Sequence, residues 1–224
     1  MTKDKKTYYY LEDIDYLATS DGSIWGSGDK ETLQRLEKEH LAGKWLNLAA
    51  GDGRYNEILL RKANKVVATD FDMGALEKLQ LQTPTELQGK LKIKRVDLNE
   101  RLPFDDGEFD GVFNTGTIHL FPETMVEDIL VEIDRVTKIG GRLFLDFACE
   151  IKRVTKEGKE MPDERKNYLL DEVRYLIEST LPNYLLDFEQ AEVAPEWVGE
   201  QENPHFFSCK FWIVCGVKKE YRRI

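Results

Sequence analysis

The sequence contains few of the residues that form disulfide frameworks or metal centres. Its 224 residues include 3 cysteines and 3 histidines. The cysteines show no C-x-x-C spacing and the histidines no H-x-x-x-H pair, so the sequence predicts neither kind of site. A chain of this length buries enough apolar surface to fold as one domain without them.

Long apolar runs and an excess of positive charge are also missing. The most apolar stretch, Phe206–Val217, is only twelve residues long and contains Lys210, which is too short to span a bilayer. The first ten residues lack the apolar segment of a signal peptide. The 32 Lys and Arg residues against 42 Asp and Glu residues give a net charge of −10, which disfavours nonspecific binding to nucleic acid or anionic lipid. We expect a cytoplasmic protein with no membrane partner.

Between residues 44 and 148, apolar segments of strand length alternate with amphipathic helical segments. Continuous apolar strands separated by helices are typical of an α/β protein with a parallel sheet covered on both faces. The predicted strands are Lys44–Ala49, Lys65–Asp70, Leu91–Asp97, Asp110–Thr115 and Arg142–Ala148.

The two ends of the chain differ from this pattern. The helix that follows Pro122 is predicted to stop at Gly140-Gly141. Two extended segments near the end, Tyr184–Val193 and Phe206–Val217, have no helix between them, so at least one terminal strand should run antiparallel. We divide the chain into an N-terminal cap segment with a short helix, residues 1–43, and a main domain, residues 44–224.

The residues of chemical interest follow the ends of the strands, where open α/β sheets bind their ligands. Gly51 and Gly53 permit a sharp turn and let a ligand lie against bare backbone at a helix N-terminus. Asp70 ends the second strand, nineteen residues beyond Gly51, a spacing typical of a carboxylate that binds a ribose diol. Asp97 ends the third strand, where a carboxylate can accept a hydrogen bond from an exocyclic amine.

The turn is a poor match to a phosphate-binding loop. Asn56 occupies the position of the third glycine of the dinucleotide fingerprint, and no Walker lysine follows. Two carboxylates beside a loop with few phosphate donors suit a nucleoside whose tail is an amino acid. The sequence therefore predicts S-adenosylmethionine as the ligand.

Five motifs follow one another along the chain, and they are Leu46–Tyr55, Val66–Asp72, Val96–Phe104, Phe109–Phe121 and Arg135–Leu145. In order and spacing they resemble those of the class I S-adenosylmethionine-dependent methyltransferases, specifically the small-molecule, type-11-like group. The resemblance covers roughly residues 44–148, and the hairpin-like end of the chain is similar to the family's last strands.

The resemblance implies a Rossmann-like, doubly wound sheet of seven strands, mostly parallel, with the last strand antiparallel and helices on both faces. It also implies that Asp70 holds the ribose hydroxyls, that Phe71 packs on adenine, and that Asp97 receives the adenine amine beside Leu98. The methionine end of the cofactor is then bordered by Gly51, Gly53, Asn114 and Thr115.

Two positions depart from the family pattern. Asn47 stands where the family usually has an acidic residue, and Ala49 where it usually has glycine. Both residues are conservative in size, and both are retained as cofactor-binding candidates. Asn47 removes one negative charge near the cofactor's ammonium group.

Two further side chains are candidates with an open alternative. His119 lies on the loop that faces the methyl group in this family, where a neutral imidazole can take a proton from an acceptor. Its alternative is a structural hydrogen bond to a neighbouring loop. Trp25 can cover the sulfonium with its aromatic face, or it can be a packing residue.

The resulting interpretation is a methyltransferase that acts on an unidentified, small-molecule acceptor and uses no metal. An RNA or protein methyltransferase is a second interpretation, supported by the basic tail Lys218–Arg223. A non-catalytic protein that binds S-adenosylmethionine or S-adenosylhomocysteine is the third, and Asn47 and Ala49 are its only support. The sequence leaves the acceptor atom and the oligomeric state open.

Overall fold

A computed structural model describes residues 14–161, 165–198 and 204–220, and it contains one seven-stranded sheet. The strands are β1 (Lys44–Asn47), β2 (Lys65–Asp70), β3 (Leu91–Arg95), β4 (Phe109–Asn114), β5 (Thr137–Val154), β6 (Tyr184–Val198) and β7 (His205–Lys218). The α-helices are α1 (Lys30–Lys38), α2 (Asn56–Lys62), α3 (Met73–Gln82), α4 (Thr85–Gln88), α5 (Glu123–Val136) and α6 (Leu170–Thr180).

The strand order is β3-β2-β1-β4-β5-β7-β6. The first five strands pair in parallel, and β7 runs antiparallel to both β5 and β6. This arrangement confirms the mostly parallel, seven-stranded sheet with an antiparallel last strand. Chain order reverses between β1 and β4, so the ends of these two strands open the crevice in which such sheets bind ligands.

The sheet is covered by helices on both faces. One face packs against α5 and α6 through a core that includes Val112, Ile133 and Ile177. The other face packs against α1 and α2 through a core that includes Leu36 and Leu59. The central strands β2 and β4 are covered on both sides and bury consecutive residues, as the sequence pattern indicated, whereas the edge strands β3 and β6 are largely exposed.

The end of α5 differs from the prediction. The helix stops at Val136, four residues before the glycine pair, and β5 begins directly at Thr137. Thr137 has extended backbone angles, and its hydroxyl donates to the carbonyl of Ile133. A β-branched residue therefore ends the helix, and Gly140-Gly141 lies inside the irregular first part of β5.

The antiparallel part of the sheet is longer than predicted. β5 continues to Val154 and β6 to Val198, because β7 pairs with both of them along this extension. The edge strand β6 carries Pro195 within an irregular stretch between Val193 and Glu196, where the register with β7 shifts. No helix in the described ranges is long and apolar enough to cross a membrane.

The front segment, which we define as residues 14–28, is anchored to the main domain by one buried carboxylate. Asp52 accepts hydrogen bonds from the Ser23 hydroxyl at 2.5 Å and from the Ile24 backbone N–H at 2.8 Å. Lys78 on α3 forms an ion pair with Asp52 at 3.0 Å and also donates to Thr19. Both charged groups are almost fully buried, so each charge is compensated by the other rather than by water.

This anchor predicts a large loss of stability in Asp52→Ala. The substitution leaves the Lys78 ammonium buried without its counter-ion, and we expect the free energy of unfolding to fall by about 3–5 kcal/mol. Urea unfolding measures the change. Glu57→Ala is the control, because Glu57 forms an exposed ion pair with Arg61 that contributes about 0.3–0.5 kcal/mol. Equal losses in the two variants would contradict the prediction.

Candidate functional site

The turn after β1 brings backbone N–H groups to the end of the sheet. Ala49, Gly51 and Gly53 all have positive φ angles, of 55°, 54° and 101°. The Gly51 N–H donates to the Asp70 carboxylate at 2.8 Å, and the Gly53 N–H donates to the Ala50 carbonyl at 3.1 Å. The glycines thus form the sharp turn that the sequence indicated.

Asp70 joins the ends of β1 and β2. One carboxylate oxygen accepts from the Gly51 N–H, and the other accepts from the Asp72 N–H at 3.0 Å. Burial raises the pKa of Asp70, while these two hydrogen bonds act in the opposite direction. Each oxygen keeps a lone pair, so the carboxylate is still able to accept from a pair of ligand hydroxyls.

The predicted adenine side contains residues that are already engaged with their neighbours. The Phe71 ring lies under the Arg95 guanidinium, 4.4 Å from its carbon to the ring centroid. Asp97 lies beyond the end of β3, and one of its oxygens accepts from the Asn99 backbone at 2.9 Å and from the Asn99 side chain at 2.7 Å. Leu98 borders a cavity of about 340 Å³ between this loop and α5.

The predicted methionine side holds two buried amides. The Asn47 side chain donates to Asn56 at 3.2 Å. The Asn114 amide nitrogen donates to the Leu48 carbonyl at 2.7 Å, whereas its oxygen is enclosed without a partner in the described part of the chain. A buried acceptor without a donor is costly, and a ligand ammonium group at this position would satisfy it. Thr115 follows directly and is partly buried.

His119 lies in a single 3₁₀ turn, Ile118–Leu120, after β4. Its Nδ1 atom is enclosed, and the ring forms no hydrogen bond within the described residues. Burial lowers the pKa of His119 to about 4, and the positive charges of Arg165 and Arg153 act in the same direction. The imidazole is therefore neutral near pH 7. The alternative interpretation, a hydrogen bond to a neighbouring loop, has no counterpart in the described ranges.

The front segment covers the glycine turn. A Cβ atom on Gly51 would lie 3.4 Å from Nε1 of Trp25, so the missing side chain leaves room for the indole. Tyr16 is buried nearby, and burial together with the charges of Asp70 and Asp72 raises its pKa to about 12. Trp25 is 47% exposed, which leaves part of its surface open above the turn.

The structure also brings forward residues that the sequence analysis did not select. The Tyr55 hydroxyl bonds to Asp29 at the start of α1, and Arg54 donates to the same carboxylate at 3.2 Å. Asp146 on β5 is buried and accepts from the Gly116 N–H at 2.6 Å. Asp146 had a signal in the sequence, a single acid within an apolar strand. The pairing of Asp29 with Tyr55 had none, because it joins separate segments.

These residues fit S-adenosylmethionine. The unpartnered Asn114 oxygen matches an ammonium group, and the Asp70 carboxylate, which is joined to the Gly51 turn, matches a ribose diol.

Comparison with known families and proteins gives a consistent result. A family model described as a methyltransferase domain matches residues 46–145. The chain is 30% identical over 142 residues to an uncharacterised methyltransferase of Synechocystis. This alignment covers 61% of this chain and 63% of that protein. It is 34% identical over 116 residues to a demethylmenaquinone methyltransferase of Thermobifida fusca. That alignment covers 49% of this chain and 44% of that protein. The matched region thus spans 44% to 63% of the length of these two relatives.

Solved structures share the fold at low sequence identity. The complex of DhpI with S-adenosylhomocysteine has a TM-score of 0.60 at 15% identity and covers 85% of this chain and 83% of that one. An S-adenosylmethionine-dependent methyltransferase from Mesorhizobium loti has a TM-score of 0.60 at 12% identity and covers 84% and 96%. The family model spans the predicted motifs, which confirms the resemblance found in the sequence.

The strained turn predicts that Ala49→Gly stabilises the protein. An alanine in the left-handed region costs roughly 1–2 kcal/mol, and the added flexibility of glycine in the unfolded chain offsets about half of the relief. We expect a net gain of about 0.5–1 kcal/mol in chemical unfolding. Ala50→Gly is the control, because Ala50 does not have a positive φ and should lose about 0.4–1 kcal/mol. A loss in both variants would contradict strain at position 49.

Proposed function

We propose that this chain, which contains a class I S-adenosylmethionine-dependent methyltransferase domain, transfers the cofactor's methyl group to a small-molecule acceptor. The observation that carries the proposal is the meeting of three features at the ends of β1, β2 and β4. These are the Gly51 turn, the Asp70 carboxylate and the unpartnered Asn114 oxygen. The bound cofactor supplies an electrophilic methyl group on a sulfonium.

Each candidate residue has a part in binding the cofactor. Asp70 accepts from the ribose hydroxyls, and Asn114 accepts from the ammonium group. Gly51 and Gly53 shape the turn beside the methionine tail, with Asn47, Ala49 and Thr115 around it. On the other side Phe71 and Leu98 pack on adenine, while Asp97 offers its second oxygen to the adenine amine.

The protein's main task in methyl transfer is to align the acceptor and to exclude water, since the leaving group becomes neutral. Trp25 and the front segment cover the methionine end and keep solvent away from it. His119 contacts the acceptor as a neutral hydrogen-bonding group. A base whose pKa is about 4 gives little driving force for proton transfer at pH 7, so positioning is the role that fits this imidazole.

A small acceptor is supported by charge and by a relative. The net charge of −10 disfavours a polyanionic substrate. The Thermobifida fusca relative is named for a quinone substrate, demethylmenaquinone. The acceptor screen below compares small molecules, RNA and protein, and it therefore separates this proposal from the macromolecular alternatives.

The proposal predicts that S-adenosylmethionine and S-adenosylhomocysteine both bind in titration calorimetry. Asp70→Ala should weaken binding about 10- to 150-fold, because the ribose hydroxyls lose a charged partner that contributes about 1.5–3 kcal/mol. Asp70→Asn keeps the shape and should lose less. Asp187→Ala, an exposed carboxylate on β6, is the control and should bind normally.

Two results would contradict this reading. If neither compound binds at high micromolar concentration, S-adenosylmethionine is excluded as the cofactor. Normal affinity in Asp70→Ala would mean that the site lies elsewhere. The acceptor class is tested with radiolabelled S-adenosylmethionine against cell extract separated into small molecules, RNA and protein. Label confined to RNA or protein would replace the small-molecule acceptor, and binding without transfer to any fraction would favour the non-catalytic interpretation.

A separate prediction concerns His119→Ala. We expect turnover to fall about tenfold, the loss of one hydrogen bond to the acceptor, while the cofactor dissociation constant stays unchanged. Because His119 is already neutral near pH 7, the shape of the pH–rate profile should also stay unchanged. His40→Ala is the control, since His40 is exposed on the surface. Turnover equal to that of the control would show that His119 does not contact the acceptor.

A further inference from the structure

Asp146 is a carboxylic acid within an apolar part of β5. Its neighbours Leu145 and Phe147 both belong to the hydrophobic core, and Asp146 itself is only 7% exposed. A buried carboxylate without a cationic partner is costly for the folded state. Within the described residues, the carboxylate has one hydrogen-bond partner, the Gly116 N–H in the loop after β4.

The position of Asp146 places it beside the proposed methyl-transfer region. In the register of β4 and β5, Asn114 lies opposite Leu145, so Asp146 is one residue further towards the carboxyl end. Its Oδ1 atom accepts from the Gly116 N–H at 2.6 Å. The acid is therefore tied to the loop that connects Asn114 to His119.

The second oxygen of Asp146 is available. Oδ2 forms no hydrogen bond within the described part of the chain, and it is not among the fully enclosed polar atoms. Gly116 has a φ of +66°, and no atom of the described residues lies within 4 Å of the place where its Cβ would be. The carboxyl group is thus tied to a loop residue that borders open space.

Several ionisable groups face Asp146 from the elements packed against it. Asp29 and Arg54 face it from the start of α1 and from the glycine turn, and Arg54 is engaged by Asp29 at 3.2 Å. Tyr55 and Cys209 also face it, and burial raises the pKa of both, that of Cys209 to about 11. Burial raises the pKa of Asp146 to about 7, against the lowering effect of the Gly116 hydrogen bond.

We propose that Asp146 accepts the proton that the methyl acceptor loses, which makes the acceptor a small molecule with a reacting hydroxyl or amine. This inference rests on the proposed function. In the step, the acceptor oxygen or nitrogen bonds to the methyl carbon, and the bond from that carbon to sulfur breaks with its electron pair left on sulfur. The acceptor's proton passes to Oδ2 of Asp146 and is released to solvent after the product leaves.

The first test needs neither cofactor nor acceptor. The folded-state pKa of Asp146 lies above its ordinary value of 3.8, so the contribution of this one group to stability should fall as pH rises from about 4 to about 7. Asp146→Asn removes this ionisation and should raise the melting temperature, relative to wild type, more at pH 8 than at pH 5. Asp187→Asn is the control and should show the same difference at both values. A pH-independent difference in Asp146→Asn would overturn the proposal.

The second test follows tritium transfer from S-adenosyl-[methyl-³H]methionine to the small-molecule fraction of cell extract. Wild-type rates should rise about tenfold from pH 6 to pH 8, as a group with a pKa near 7 becomes ionised. Asp146→Asn should be at least about 100-fold slower, with a flat profile and an unchanged cofactor dissociation constant. A rate within threefold of wild type, with the wild-type profile, would overturn the proposal.

The two tests separate this inference from the proposed function. If wild-type protein binds no cofactor or labels no small molecule, the proposed function fails, and with it the catalytic role of Asp146. If wild type transfers methyl groups but Asp146→Asn retains both rate and profile, the inference fails alone.

Discussion

The hydrogen bond between the Gly51 N–H and the Asp70 carboxylate is the constraint on which the site depends. It joins the turn after β1 to the end of β2, and it fixes a carboxylate beside exposed backbone. Parallel pairing of β1 with β2 brings both strand ends to the same edge of the sheet, so a contact across nineteen residues becomes local. The parallel strands bring the two residues together, and glycine and aspartate provide the backbone N–H and the carboxylate.

The same turn also connects the site to the front segment. Asp52 lies between the two glycines and holds Ser23 and Ile24, while Lys78 balances its charge from α3. Adjacent residues of one loop thereby position both the backbone beside the cofactor site and the front segment that covers it. Movement of the covering segment must disturb a buried ion pair, which makes the cover an integral part of the domain rather than a loose attachment.

The sequence predicted those parts of the molecule that depend on local pattern. Strand β2 was predicted with its observed ends, and the glycine turn and Asp70 lie together as their spacing indicated. The predicted end of α5 was wrong, because the backbone is already extended at Thr137, before the glycine pair. Asp146 and the partners of Asp52 were missed, because their significance comes from contacts between distant segments. Periodicity reports which face is buried, but it does not report which buried polar groups meet.

The outer strand of the sheet has a consequence for the behaviour of the protein at high concentration. An edge strand offers unpaired backbone groups to any neighbouring molecule, and a long flat edge invites intermolecular strand addition. β6 interrupts that edge with Pro195, which lacks an N–H, and with the register shift beside it. Asp187 and Glu189 place charged side chains along the same strand, where both pair with Arg35. The extended hairpin therefore carries its own protection against aggregation.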